Sequence, residues 1–123
     1  MMRKRINDSY GHKAGDNYIR GCCHMIFEEY KHSPVFRIGG DEFIVILQGQ
    51  DYENRLQHLE SMRSTFERTF TQDNVDPWEN YSASVGMAEY ASDDSTVELV
   101  FKRADKAMYA DKQAFKKKYG SYR

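Results

Sequence analysis

Two adjacent carboxylates, Asp41 and Glu42, are the residues of this sequence best suited to chemistry. They directly follow Gly39 and Gly40, and a run of apolar residues comes after them. Hard cations such as magnesium prefer oxygen ligands, so adjacent acids at a turn open to a ligand suit a divalent cation. The alternative is an ordinary glycine-rich turn with solvated acids. The local sequence leaves both interpretations open, because short motifs also arise by chance.

A tight β-hairpin is the element that must position these acids. Runs rich in β-branched and aromatic residues flank the Gly-Gly-Asp-Glu tetrapeptide over residues 35–47. Such runs favour strands, and glycine supplies the positive φ angles of a tight turn. Glycine also leaves room for another molecule to approach the backbone. We therefore expect two paired strands with the acids at the tip.

Composition bounds the class of protein. With 123 residues, 40% hydrophobic and 30% charged, the chain fits one globular domain over residues 1–123. A formal net charge of −1 gives no electrostatic argument for a nucleic acid or membrane partner. The adjacent Cys22 and Cys23 favour reduced thiols, and no membrane-span or signal-peptide pattern is present. We therefore expect a cytoplasmic domain with no membrane segment and no nucleic-acid partner.

Amphipathic patterns predict the helices around the hairpin. Residues 3–10 indicate a short polar helix or turn that Gly11 ends. Asp16 is predicted to cap a helix that runs to about residue 30, before Ser33-Pro34 leads into the hairpin. The apolar face of that helix is Tyr18, Ile19, Cys22, Cys23, Ile26, Phe27 and Tyr30. Similar spacing predicts a second helix through Leu56, Leu59, Met62, Phe66 and Phe70, and a last one through Val97, Leu99, Val100, Ala104, Ala107 and Met108.

The remaining segments complete the order of elements. Residues 48–54 and 72–80 are predicted loops, and residues 81–88 are predicted to form a third strand in which Gly86 marks a close approach or a bulge. The resulting order predicts an α+β or α/β fold with helices packed on a sheet. Three strands make a small sheet for so many helices, and a strand before Met1 would complete it.

Three sequence blocks in order resemble one known family. Residues 6–16 match the pattern I-N-D-x-Y-G-H-x-x-G-D, and residues 37–43 read R-I-G-G-D-E-F. The third block is S-V-G at residues 84–86, followed by R-A-D-K-A-M-Y at residues 103–109. Together these blocks cover nearly the whole chain, which therefore resembles the GGDEF domains, or diguanylate cyclases. Three long matches in order are far more specific than one glycine motif.

The resemblance implies an α+β fold with a palm-like, antiparallel-rich sheet, like that of nucleotide cyclases. It implies condensation of two GTP molecules into cyclic di-GMP, a bacterial second messenger, with release of pyrophosphate. Each subunit of a homodimer would hold one GTP, with Mg²⁺ as cofactor and Mn²⁺ as the alternative cation. An upstream sensor or regulatory domain is implied too, so that the chain would be the cytoplasmic part of a larger membrane or sensor protein.

At the turn, the resemblance assigns Asp41 and Glu42 to the metal and catalytic centre. Gly39 and Gly40 match the glycines that let the nucleotide approach. The alternative for all four residues remains the ordinary glycine-rich turn with solvated acids described above.

Outside the turn, Asn7 and Asp16 match the pair that recognises guanine. Lys4 matches a residue near the triphosphate, and Lys112 and Lys116 match two basic positions that hold phosphates. Asn7 could instead be a turn residue and Asp16 only a helix cap. For the lysines the alternative is a solvated face, because basic runs usually are one.

Three departures from the family pattern bear on function. The family begins with a strand that carries a metal-binding aspartate, and that strand would precede Met1. An N-terminally truncated chain is therefore expected to bind magnesium weakly and to have a low catalytic rate. Tyr30 and Ser33 stand where many members have an R-x-x-D product site, which predicts no product inhibition there. Phe115 and Lys116 replace the usual glycine and arginine of the last helix, and lysine keeps the charge but loses bidentate geometry.

The alternative function is a degenerate GGDEF domain that binds GTP or a partner without catalysis. Intact Asp41 and Glu42 favour the enzyme, whereas the absent first strand favours the binding module. A structural fragment with no nucleotide site is a third interpretation, which requires the three blocks to agree by chance.

Overall fold

The computed structural model describes residues 3–120 and shows a mixed α+β fold. The chain divides into two units, the first ending at Ala83 and the second beginning at Ser84. The elements of the first unit are α1 (Arg3–Tyr10), α2 (His12–Glu29), β1 (Val35–Arg37), β2 (Phe43–Val45), α3 (Gly49–Glu53), α4 (Arg55–Phe70) and a 3₁₀ helix (Pro77–Glu79). The second unit contains α5 (Val97–Tyr119). The predicted α+β class is confirmed.

The predicted hairpin is present, with shorter strands than the apolar runs suggested. β1 and β2 pair antiparallel with Phe36 opposite Ile44. The turn is closed by Ile38, whose N–H donates to the Glu42 carbonyl at 2.8 Å, and Gly39 adopts a φ of +82°. At the other end, the Ile46 N–H donates to the carbonyl of Pro34, which has no N–H to return the bond. The ladder therefore ends there.

The prediction that Asp16 caps a helix is wrong, because α2 begins at His12. Gly11, with a φ of 95°, takes the cap position and separates α2 from α1. Its carbonyl accepts the Gly15 N–H at 3.2 Å, so the helical ladder already runs past residue 15. Asp16 lies within the second turn of α2, with its side chain exposed.

The core of the first unit forms where α2 packs against α1 and α4. Its buried apolar side chains include Ile6, Tyr18, Ile19, Cys22, Ile26, Tyr30, Met62 and Phe66. The predicted apolar face of α2 is therefore largely confirmed, except that Phe27 is 51% exposed. Burial raises the pKa of Cys22 to about 12, so this thiol stays protonated and serves as a packing group.

The predicted strand over residues 81–88 is wrong: in the structure these residues form neither helix nor strand. Side chains, rather than a neighbouring strand, take several of their backbone bonds. In the first unit, the Tyr18 hydroxyl donates to the Ser82 carbonyl at 2.7 Å and accepts the Ser82 N–H at 3.0 Å. In the second, the Val85 N–H donates to Asp111 Oδ2 at 2.8 Å. The described residues thus form a two-stranded sheet instead of the three strands expected.

The close approach predicted at Gly86 is confirmed within the second unit. A Cβ on Gly86 would lie 2.1 Å from the Met108 nitrogen and 2.4 Å from the Ala104 carbonyl oxygen, both in the backbone of α5. α5 itself confirms the last predicted helix, and Gly120 ends it in the left-handed conformation with its N–H bonded to the Lys116 carbonyl at 2.7 Å.

The segment after the hairpin differs from the prediction. Residues 48–54 were expected to be a loop, yet Gly49–Glu53 forms the short helix α3. Its residue Asp51 is buried and bonded to the chain before β1, which fixes the helix in place. Among residues 3–120, no helix combines the length and apolar character that crossing a membrane requires.

Candidate functional site

Asp41 and Glu42 lie at the hairpin turn and are half-buried. Neither side chain makes a hydrogen bond or an ion pair with any other residue in the described range 3–120. No protein cation in that range neutralises either carboxylate, so a bound cation would supply the missing positive charge. The turn therefore presents oxygen ligands that are available to a hard cation.

Arg37 braces the backbone of this turn. Its Nε donates to the Gly40 carbonyl at 3.1 Å, and its Nη2 donates to the same oxygen. In the structure its guanidinium binds the turn backbone, which fixes the carbonyl from the residue just before Asp41.

The Arg3 guanidinium lies close to the backbone of Gly40. A Cβ on Gly40 would lie 2.2 Å from Nη2 and 2.8 Å from Cζ of Arg3, so the Arg3 guanidinium occupies the place of a side chain. The sequence predicted that glycine here would let a nucleotide approach. The group that approaches Gly40 in the structure is the first residue of α1.

Asn7 lies on the same helix, over the beginning of α2. A Cβ on Gly15 would lie 1.5 Å from Asn7 Oδ1, so the carboxamide packs directly on Gly15, the residue before Asp16. Asn7 Oδ1 is buried and has no hydrogen-bond partner among the residues that the structure describes. A buried acceptor without a donor is costly, and a bound ligand with N–H groups would satisfy it.

Helix α1 thus brings several of the predicted site residues of the first unit together. It contacts the hairpin turn through Arg3 and the start of α2 through Asn7. Lys4, between them in sequence, is exposed. The predicted guanine pair, Asn7 and Asp16, therefore comes from two segments in contact.

Lys112 and Lys116 belong to the second unit. They lie one turn apart on α5, so they share a face of that helix, with Lys112 half-buried and Lys116 exposed. Phe115, between them in sequence, is buried.

The described part of the chain contains no group of three or more His, Cys, Asp or Glu side chains placed to hold a metal ion. The turn offers Asp41 and Glu42 alone. Magnesium usually binds through one or two carboxylates and completes its shell with water and substrate phosphates. The donor set at the turn therefore fits magnesium as a cation that a phosphate ligand shares.

Sequence reasoning missed a polar cluster at the base of the hairpin. The buried Asp51 accepts hydrogen bonds at Oδ2 from the His32 N–H at 2.9 Å and from Ser33 Oγ at 2.6 Å. Ser33 Oγ also accepts the Gln48 N–H at 3.1 Å, so it joins the chain before β1 to the chain after β2. The local sequence did not mark Asp51, because Glu53 is a second acid in the same polar stretch and the partners of Asp51 lie 18 and 19 positions away.

Tyr30 and Ser33, which stand at the two R-x-x-D positions of the family pattern, are both part of this region. Ser33 is bonded to Asp51, and the Tyr30 ring lies 5.6 Å from the ring of His58, which in turn contacts Glu29 at 2.6 Å. Burial, followed by the nearby negative charges of Glu29 and Asp51, raises the pKa of Tyr30 to about 12. At the base of the hairpin, Tyr30 therefore contributes packing and Ser33 contributes hydrogen bonds.

Comparison with known proteins identifies a family. The profile described as "Diguanylate cyclase, GGDEF domain" matches residues 3–118. The diguanylate cyclase DgcS of Shewanella oneidensis is 37% identical over 112 residues, which cover 89% of this chain and 35% of that protein. Diguanylate cyclase A of Treponema denticola is 33% identical over 112 residues, which cover 89% of this chain and 30% of that protein.

A third relative gives the same result at lower coverage. The diguanylate cyclase DosC of Escherichia coli K12 is 32% identical over 111 residues, which cover 89% of this chain and 24% of that protein. The chain thus spans 24–35% of the length of these curated relatives.

Proposed function

The chain belongs to the GGDEF family of diguanylate cyclase domains, and we propose that it condenses two GTP molecules into cyclic di-GMP with release of pyrophosphate. Residues 1–123 act in this proposal as one domain of that family. The product is a bacterial second messenger, so the role is signal transduction.

The observation that carries the proposal is the unpartnered Asn7 Oδ1 above Gly15. Guanine presents N–H donors next to acceptors, and a carboxamide beside a carboxylate complements both kinds of group. Asn7 and Asp16 are therefore assigned to guanine recognition. An adenine ring lacks the N1–H and the 2-amino group, so this pair favours GTP over ATP.

Asp41 and Glu42 are assigned to catalysis and to holding Mg²⁺, with Mn²⁺ as the alternative cation. When bound, such a cation offsets charge on the attacking and leaving oxygens of phosphoryl transfer. An Asp41 carboxylate oxygen accepts the proton of the ribose 3′-hydroxyl that attacks the α-phosphate. Gly39 leaves the turn backbone open to the nucleotide, whereas at Gly40 the Arg3 guanidinium lies where a side chain would be.

Lys4 is assigned to the triphosphate, as are Lys112 and Lys116 by their place in the family pattern. Lysine offers a compact charge with rotatable donors, which suits a phosphate chain without fixing a bidentate geometry. Each of these residues contributes chiefly to binding and charge neutralisation, as phosphoryl transfer requires.

The reaction joins two nucleotides, and we assign one to each subunit of a homodimer. An upstream sensor or regulatory domain would control pairing, consistent with relatives that are about three to four times longer than the matched region. A GTP substrate and reduced thiols at Cys22 and Cys23 favour the cytoplasm as the place of action.

A GTP-binding module without catalysis is the second candidate. The observation that favours it is the absence of a third acidic or histidine ligand near the turn among residues 3–120. In that case Asn7 and Asp16 would still bind guanine, but the turn acids would hold the cation too weakly for turnover.

Titration of the chain with GTP in the presence of Mg²⁺, followed by product analysis of the same samples, separates these candidates. Saturable binding with formation of cyclic di-GMP supports the cyclase. Binding with intact GTP recovered supports the module. Equal affinity for GTP and ATP, or no binding of either, would rule out the guanine site itself.

A further inference from the structure

Arg3 has an environment that its neighbours on α1 do not share. It is half-buried and its Nε is fully enclosed, yet the guanidinium has no hydrogen-bond or ion-pair partner within the described residues 3–120. Arg5, two positions on, is exposed. An enclosed Nε–H without an acceptor is costly, and a ligand that brings acceptor oxygens to this guanidinium would offset that cost.

The Gly40 carbonyl, at the part of the turn nearest to Arg3, is not available as an acceptor for the Arg3 guanidinium. The Arg3 guanidinium lies against Gly40, where a Cβ would be 2.2 Å from Nη2. The Gly40 carbonyl already accepts two bonds from Arg37, which uses both of its lone pairs. Arg3 therefore points its donors at the hairpin turn without a protein group to receive them.

We propose that Arg3 is a further substrate-binding residue, whose guanidinium holds a phosphate group of the bound nucleotide beside the Gly39–Glu42 turn. This inference rests on the proposed function. Arginine matches two phosphate oxygens with two parallel N–H bonds, a geometry that a lysine cannot provide. A phosphate also resolves the charge pattern at the turn, because it can bridge the guanidinium and a cation held by Asp41 and Glu42.

The test compares Arg3→Gln with Arg5→Gln, a matched loss of one positive charge from the same helix. The 123-residue chain is titrated with Mg²⁺ and a non-hydrolysable GTP analogue, then with guanosine, then with pyrophosphate. Arg3→Gln should bind the analogue roughly tenfold or more weakly, since a hydrogen bond to a charged group is lost, while its guanosine affinity is unchanged. Arg5→Gln should differ from wild type by less than about twofold.

Two further variants keep the result interpretable. Arg3→Lys retains the charge but loses the paired donors, so its affinity for the analogue should fall less than that of Arg3→Gln. This variant replaces Arg3→Gln in the test if Arg3→Gln fails to fold. Asn7→Ala should weaken guanosine and the analogue alike, because it acts on the base. Weaker pyrophosphate binding in Arg3→Gln would place Arg3 at the β- and γ-phosphates, and unchanged pyrophosphate binding would place it at the α-phosphate.

Equal affinity of Arg3→Gln and wild type for the analogue would overturn the inference and leave the proposed function standing. Equal losses for guanosine and the analogue would also overturn it, because they would indicate general disruption. If the wild-type chain binds neither guanosine nor the analogue, the proposed function fails and the inference fails with it.

Discussion

The Asn7 carboxamide packs directly on Gly15, in a position where a Cβ on residue 15 would lie 1.5 Å from Asn7 Oδ1 and 2.6 Å from Cγ. Gly15 lies inside α2 and needs no unusual backbone conformation. A side chain at residue 15 would therefore displace the Asn7 carboxamide from the surface of α2.

We expect Gly15→Ala to separate ligand binding from stability. Displacement of Asn7 should weaken guanosine binding roughly tenfold, because one hydrogen bond to the ligand is lost. The free energy of unfolding should change by less than about 1 kcal/mol, because alanine favours a helix over glycine by roughly that amount and offsets the cost of moving a side chain. Calorimetric titration with guanosine and urea denaturation measure the two quantities.

The matched control is Asn17→Ala, an exposed position in the same helix. It should leave guanosine affinity unchanged. Wild-type guanosine affinity in Gly15→Ala would show that the position of Asn7 over Gly15 does not matter for binding.

Asp51 should be among the residues on which the hairpin depends most. Asp51→Ala removes a buried acceptor from the His32 N–H and from Ser33 Oγ, and we expect it to lower the free energy of unfolding by about 3 kcal/mol. Asp73→Ala, at an exposed position, should cost less than about 0.5 kcal/mol. Urea denaturation compares them, and similar small losses for both variants would contradict this role of Asp51.

The hairpin and the helical faces could be predicted because their signals are local. The apolar runs around Gly39 and Gly40 specify two strands and a turn, whatever the rest of the chain packs against them. The spacing of Tyr18, Ile19, Cys22 and Ile26 specifies one buried helical face in the same way. The start of α2 was missed because Asp16 is a good cap residue by type, whereas the observed cap at Gly11 depends on the backbone.

The other misses come from contacts that sequence spacing does not encode. A strand over residues 81–88 requires a paired neighbour, and in the structure the Tyr18 hydroxyl and the Asp111 carboxylate take backbone bonds instead. Likewise, α3 contains an acid whose partners, His32 and Ser33, precede β1. The contact between Arg3 and Gly40 also joins segments far apart in sequence, so motif matching assigned Gly40 to the nucleotide alone.

In the second unit, the carboxyl group of Asp94, which is paired with Arg103, should titrate at low pH. Two hydrogen bonds of 2.7 Å from the Arg103 guanidinium, followed by one from the Ala91 N–H, lower the pKa of Asp94 to about 2. Because the folded pKa lies below the ordinary value of about 3.9, the stabilisation is complete above about pH 4 and is lost as the pH falls through about 2.

An NMR titration of the Asp94 carboxyl group measures this directly. In Arg103→Gln the midpoint should move up towards the ordinary range for an aspartate, because the main cause of the shift is gone. The same midpoint in the variant and in the wild-type chain would contradict the assignment to Arg103.

The proposed homodimer makes a kinetic prediction. At saturating GTP and chain concentrations below the dimer dissociation constant, the rate of cyclic di-GMP formation should rise with about the square of the chain concentration, because each active centre needs two subunits. Strictly linear dependence over that range would mean that one subunit holds both nucleotides.

The most direct measurement of the central claim is the amount of cyclic di-GMP formed from GTP and Mg²⁺ by the wild-type chain, Asp41→Asn and Glu42→Gln. The substitutions keep the size of each side chain and remove its charge. We predict that the wild-type chain forms cyclic di-GMP, and that each variant forms it roughly a hundredfold or more slowly. Absence of the product from the wild-type reaction, or equal rates in Asp41→Asn and wild type, would contradict the proposal that these turn acids form a GTP-condensing centre.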